Sequence, residues 1–512
     1  MTKNVSKRYF FTIITSLFRA LLGFSTGMLL ARFLGPKDYG NMSFLLGTFL
    51  AIRQLLDMGT AQAFFTFMSQ RLRSKFFVLS YFAWLVLQFF IVIVFIGVFF
   101  PEKWVQTIWH GEHRLLIVMA FAAAFLQNSV WPSVQQALEA QRLTYKAQGI
   151  GIAIVIVHIV AVTLLWFFGT IGLYPIFIAI FIEHLLAIFI SYRFLEFPSS
   201  EENEGGVQTG MSIYRMFIKY CTPIIVYSWI GFIYSFADTW LLQNYGGSVK
   251  QAYYAVSSQF ASVALLATTS ISNIFYKEIA EAYHKQDMEQ VKRIYIKVSR
   301  SLFLIGAIIS SFLIPWTKDL LQNILGDSYV GGYVTLGIML LYPIHQSMGQ
   351  IGGAVFFATE HVSLQAKIGI FFMLVSIAIS YLVLAPSTAL IPGLNLASEG
   401  LAMKMLFMQF FQVNIMAYII SRLFKTPFDW VYQPVSILGC LALGWLAHFL
   451  VIYIAGNSLA FIFSLTLAGL IYSILIAVFI YVFPWLSGLN RKELFMELNK
   501  LTKLFVWPER HS

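Results

Sequence analysis

Five ionisable residues of this 512-residue chain, Arg19, Arg53, Asp57, Glu183 and Asp238, stand inside long apolar runs. A charge at the centre of a bilayer costs about 2.5–3.5 kcal/mol on insertion scales, so each must face a polar cavity or a partner. Arg19 sits in "SLFRALLGFSTGMLLARFLGPKDYG", residues 16–40, with Gly23, Gly27 and Ala31 following at steps of four. Such a small-residue stripe lets another helix come close. The arginine in it reads either as a cavity cation or as half of a buried ion pair. Arg53 and Asp57 are one helical turn apart and can neutralise each other. Glu183-His184 reads as a protonatable pair or as the answer to an arginine, and Asp238 as a counter-ion site or a residue at a wet rim. Lys404 is expected in the first turn of an apolar segment, where its stem carries the ammonium back to the interface. His158, His345 and His448 read as packing histidines. Cys221 and Cys440 are the only cysteines, both at or inside apolar segments, and imply neither a disulfide framework nor a metal site. No cofactor is expected.

The elements that must position these charges are membrane spans. Hydrophobic residues make up 59% of the chain and charged ones 11%, whereas a soluble domain carries about 25% charged residues. Apolar runs of about 20 residues, enough for a helix to cross a hydrocarbon layer of about 30 Å, recur from Tyr9 to Phe483 and are expected to give about fourteen spans. The leader "MTKNVSKR" runs into a segment too long for a signal peptide, so that segment is expected to stay as a helix.

Net charge is +11, but its placement argues against nucleic acid as a partner. Of 34 Lys and Arg, six (Arg32, Lys37, Lys103, Arg114, Lys250 and Lys318) fall in one alternate set of loops, three (Arg19, Arg53 and Lys404) inside spans, and 25 in the other loops and the termini. The positive-inside rule then puts both termini in the cytoplasm.

Two stretches far apart in the chain look alike: "ALEAQRLTYKAQGIGI" (137–152) and "FFATEHVSLQAKIGI" (356–370). "LGPKDYG" and "YGGSVKQAYY" likewise follow comparable spans. The expected fold class is an all-α polytopic membrane protein with two six-helix lobes related by a pseudo-two-fold axis along the membrane normal, plus a two-helix C-terminal pair. The expected boundaries are an N-terminal lobe at 1–195, a cytoplasmic linker at 196–219 and a second lobe at 220–420. A helix pair at 421–485 and a cytoplasmic amphipathic tail at 486–512 follow. The tail's Leu494, Leu498, Leu501 and Phe505 at helical spacing suit an anionic lipid surface.

The stretch "LLARFLGPKDYGNMSF" followed by "LLDMGTAQAFF" resembles the Wzx-type polysaccharide flippases of the multidrug/oligosaccharidyl-lipid/polysaccharide exporter (MOP) superfamily. The matching positions are Ala31, Arg32, Leu34, Gly35, Pro36, Tyr39, Gly40, Asp57 and Gly59. The resemblance implies alternating access and a cationic central cavity for an undecaprenyl-diphosphate-linked oligosaccharide, and a groove for the lipid tail at helices 13 and 14. It assigns Arg19 and Arg53 as substrate-binding cations and leaves Asp57, Glu183 and Asp238 as coupling or charge-pair residues toward a counter-ion, proton or sodium. It also implies the bacterial cytoplasmic membrane. The chemistry agrees, because guanidinium groups pair phosphate oxygens two at a time. The second half carries no mid-span arginine.

Two other classes compete. A drug or cation antiporter of the same superfamily would favour an acidic cavity. A membrane polysaccharide polymerase or ligase needs catalytic groups outside the membrane, yet the longest outward loop, "PWTKDLLQNILGDSYVGG", is short and has no nucleophile-and-base set. The chain is therefore expected not to be an enzyme.

Overall fold

The computed structural model describes residues 2–71, 73–197, 210–425, 428–456, 460–489, 491 and 493. Residues 198–209 of the 196–219 linker and most of the amphipathic tail lie outside the described residues. What is described is helical, with no strand among those residues. The order is α1 (Thr2–Asp57), α2 (Thr60–Gln70), α3 (Lys75–Val94), α4 (Glu102–Ile108), α5 (Arg114–Phe125), α6 (Trp131–Ala140), α7 (Thr144–Phe167) and α8 (Leu173–Tyr192). Then come α9 (Gly210–His284), α10 (Met288–Leu313), α11 (Thr317–Leu325), α12 (Tyr333–Ala358), α13 (Val362–Leu384), α14 (Ala397–Leu423), α15 (Tyr432–Ala455) and α16 (Phe461–Val482). Among the described residues, eleven helical stretches are long and apolar enough to cross a membrane.

Two of these are too long to be single crossings. The 56 residues of α1 and the 75 of α9 would run to about 84 and 112 Å as straight helices. Each is broken at one glycine in nearly the same conformation: Gly35 (φ 73, ψ 170) and Gly247 (φ 73, ψ 176). A positive φ with extended ψ is a region essentially reserved for glycine. Each helix is therefore two arms. In α1 the arms fold back, because Gln259 donates to the Tyr39 hydroxyl at 2.9 Å and also fills the space over Gly27.

The two breaks pack against each other. The Asn41 side-chain oxygen accepts from Gln243 Nε2 at 3.2 Å and from the Ser248 hydroxyl. A β-carbon on Gly40 would lie 1.8 Å from the Ser248 carbonyl oxygen. The "GPKDYG" loop thus needs glycine twice, once for conformation and once for contact. The other likeness in the sequence has a backbone counterpart too: Arg142, between α6 and α7, has φ 64, and Glu360, between α12 and α13, has φ 63. Each follows the alanine that the two similar stretches share, Ala140 or Ala358, at the same step.

The chain divides into two compact units, Met1–Gln259 with Ile370–Lys404, and Phe260–Gly369 with Met405–Ser512. In the first, Tyr81 of α3 stacks on Phe64 of α2 with ring centres 4.1 Å apart, and Phe217 stacks on Tyr81. In the second, α15 and α16 pack on α10. The Tyr472 hydroxyl donates to the Ile308 carbonyl at 3.0 Å, and Gly444 brings α15 against the backbone of Ser311. Phe303, Ile344, Cys440 and Leu486 form the buried centre of that unit.

Candidate functional site

The first unit carries all five charges singled out in the sequence, set among different neighbours. Arg19, half-buried on the first arm of α1, lays its guanidinium over Gly151 of α7. A β-carbon there would be 2.5 Å from Nη1. The opposing charge it senses is Glu139, in the last turn of α6. That carboxylate is engaged elsewhere, accepting from Gln135 Nε2 at 3.1 Å and Gln148 Nε2 at 3.0 Å. No carboxylate of a described residue lies within 4.0 Å of the Arg19 guanidinium. Glu139 was not singled out in the sequence. Its signal was present, a carboxylate one residue before a helix end with glutamines at 135 and 148.

Arg53 is on the second arm of α1 and, among the described residues, also has no carboxylate within 4.0 Å. Asp57 is committed to the backbone. It accepts from Ala61 N at 2.8 Å, Gly59 N at 3.3 Å and the Thr60 hydroxyl at 3.1 Å, covering the exposed start of α2 as a capping carboxylate does. The break occurs because Gly59 takes φ 89. Gln88 of α3 donates to the Leu56 carbonyl at 2.8 Å, so a carbonyl next to the break keeps a partner. Asp57 also lines a cavity of about 240 Å³ with Gln54, Ser228, Tyr234 and Ser235.

Glu183 is buried on α8 and meets His158 of α7, with Oε2 2.9 Å and Oε1 3.2 Å from Nδ1. Its sequence neighbour His184 turns away and bonds the Ile180 carbonyl at 2.8 Å. The acid therefore pairs across a helix hairpin, at a separation in sequence that no local pattern announces.

Asp238 receives Lys404 Nζ at 2.6 Å and the Ser380 hydroxyl. The Lys404 side chain is 0% exposed, and its ammonium stands 4.7 Å from the Tyr234 ring centre, within cation–π range. This corrects the expectation that Lys404 reaches the interface. Helix α14 starts at Ala397, so Lys404 lies in its second turn and points to an acid.

Among the described residues, no group of three or more His, Cys, Asp or Glu could hold a metal. The fold defines a class: a multi-pass helical membrane protein, with eleven helical stretches among the described residues long and apolar enough to cross a membrane. The structure is similar to that of the lipid II flippase MurJ in an inward closed conformation, with a TM-score of 0.68 at 13% identity, covering 92% of this chain and 98% of that one. It is similar to an inward-facing multidrug resistance MATE family transporter of the MOP superfamily, with a TM-score of 0.59 at 15% identity, covering 80% and 96%. A MOP superfamily transporter from Pyrococcus furiosus, for which a reversed binding-pocket polarity suggests a different function, matches at a TM-score of 0.54 and 12% identity, covering 81% and 96%. No curated protein matches the sequence. The signature of the polysaccharide biosynthesis protein family matches residues 29–332, and the chain belongs to that family.

Proposed function

We propose that the protein is a flippase that moves an undecaprenyl-diphosphate-linked oligosaccharide across the bacterial cytoplasmic membrane by alternating access, for cell-surface polysaccharide. In this reading the chain crosses fourteen times, both termini are cytoplasmic, and the lobes are 1–195 and 220–420. The two broken helices supply two crossings each, and α12 supplies one.

The observation that carries the reading is Arg19. Its guanidinium lies against Gly151 with no carboxylate of a described residue within 4.0 Å, and a mid-membrane arginine without such a partner calls for an anion. A diphosphate supplies one, with oxygens spaced for the guanidinium fork. Arg53 is the second cation. Glu183–His158 and Asp57 are the groups that could link transport to a proton or sodium ion.

One observation favours the rival cation antiporter: Asp57 lines its cavity among neutral polar residues. Reconstitution separates the two readings. Proteoliposomes should carry a fluorescent diphosphate-linked oligosaccharide lipid from one leaflet to the other and leave a lipophilic cationic dye undisturbed. Dye extrusion without lipid transfer would decide for the antiporter.

A further inference from the structure

The second unit holds a polar cavity of different chemistry, about 520 Å³ in volume, within the usual range for a small-ligand site. Five glutamines line it: Gln346 and Gln350 from α12, Gln365 from α13, and Gln409 and Gln412 from α14. Among the described residues that line it there is no Asp, Glu, Lys, Arg or His. Tyr276 and Phe357, 43% and 49% exposed, turn aromatic surface toward it.

Bland packing does not explain this wall. A primary amide in a membrane helix costs free energy unless its donors and acceptor are met. Gln365 Oε1 is buried with no hydrogen-bond partner, a loss of about 1–3 kcal/mol while it stays unmet. Gly349 on α12 keeps the Gln409 amide in place by leaving room, and Gly353, one turn on, sits beside Gln365. A β-carbon at 349 would be 2.9 Å from Gln409 Nε2, and one at 353 would be 3.7 Å from Gln365 Nε2. The Tyr342 hydroxyl donates to Gln346 Oε1 at 3.3 Å, which leaves the Gln346 NH₂ to point elsewhere.

Amides that both donate and accept, an absence of charge and flanking aromatic faces together match one ligand chemistry: a sugar whose hydroxyls also donate and accept. An anionic headgroup would find no cation here, and an acyl chain would leave the amides unmet. The cavity reaches from mid-α12 at Tyr342 to Phe357 in its last turn and Gln365 in the first turn of α13. It therefore extends to the end that the charge pattern assigns to the cytoplasm, where a glycan assembled in the cytoplasm would arrive.

We infer that this glutamine cavity binds uncharged sugar residues of the transported glycan. The inference rests on the reading of the cargo as a lipid-linked oligosaccharide. The test places the photoreactive residue p-benzoylphenylalanine at Phe357, a like-for-like aromatic change, in the full-length protein in its native host. After irradiation, the purified protein is oxidised with periodate and probed with a hydrazide dye, which reports any sugar that carries vicinal hydroxyls. The expected result is a periodate-reactive adduct that Gln346→Leu with Gln409→Leu reduces on the order of tenfold, as loss of about two hydrogen bonds implies, at unchanged protein yield. Mass spectrometry of the adduct then distinguishes the sources. Sugar with diphosphate and polyprenol supports both the cavity and the flippase reading, whereas sugar without phosphate keeps the cavity and removes the lipid-linked cargo. Phospholipid adducts alone, no periodate-reactive adduct, or an adduct indifferent to the glutamine changes would overturn the inference and leave the arginine-based reading standing.

Discussion

Arg19 and Gly151 claim the same space: a β-carbon on Gly151 would lie 2.5 Å from Nη1 and 3.4 Å from Cδ of the arginine. Gly151 is inside α7 and outside the left-handed region, so volume, not conformation, is what the glycine supplies there. The small residue that matters most to Arg19 is thus on a different helix from the Gly23–Gly27–Ala31 stripe.

Gly151→Ala should push the guanidinium aside without removing any charge. Alanine favours helix over glycine by about 1 kcal/mol, so folded yield should hold or rise while transport falls by about tenfold, the scale of one charge-assisted hydrogen bond. Measuring both on one purified preparation checks it. Lower thermal stability with unchanged transport would make Gly151 a packing residue only.

Lys404 and Asp238 should behave as a structural pair. Breaking a buried pair from one side costs about 3–5 kcal/mol, so Lys404→Met and Asp238→Asn should each lower the thermal midpoint of the detergent-solubilised protein. The double change should recover most of the loss, because no charge then stays buried alone. Single changes that leave the midpoint unmoved would contradict the pairing.

Much of the architecture is legible in the sequence because its causes are local. Apolar length marks the spans, and Gly35 with Pro36 marks the first break. The likeness of 137–152 to 356–370 reappears as matching φ values at Arg142 and Glu360. Charge partners were less legible, since they are set by which helices touch. His158 reaches Glu183 across a hairpin, and Lys404 reaches Asp238 from a distant part of the chain. Asp57 shows the opposite limit: its spacing to Arg53 suggests a pair, yet the Gly59 break offers it backbone N–H groups, and it bonds those.

Gly40→Ala should prevent the contact between the two breaks, because the Ser248 carbonyl oxygen stands 1.8 Å from the added carbon. Cysteines introduced at Asn41 and Ser248 should cross-link readily in the wild-type background and poorly with Gly40→Ala. Equal cross-linking in both would show that the loops do not pack this way in the membrane.

Arg53 and Asp57 should not rescue each other. Asp57→Asn keeps a capping oxygen and should cost less than about 1 kcal/mol, whereas Asp57→Ala should cost about 0.5–2 kcal/mol through the lost cap of α2. Adding Asp57→Asn to Arg53→Gln should leave transport as low as in Arg53→Gln alone. Recovery in the double variant would mean that the arginine serves only to balance the acid.

The most direct measurement is the rate of diphosphate-linked oligosaccharide lipid transfer in proteoliposomes carrying Arg19→Gln or Arg19→Lys, with thermal midpoints taken on the same protein. Gln keeps reach and polarity but removes the charge. Lys restores charge without the planar fork, so it should rescue only partly. The expected result is transfer abolished in Arg19→Gln, partial in Arg19→Lys, and midpoints close to that of the unaltered protein. Wild-type transfer by Arg19→Gln, or a loss of transfer that tracks a fall in the midpoint, would contradict a phosphate-binding role for Arg19.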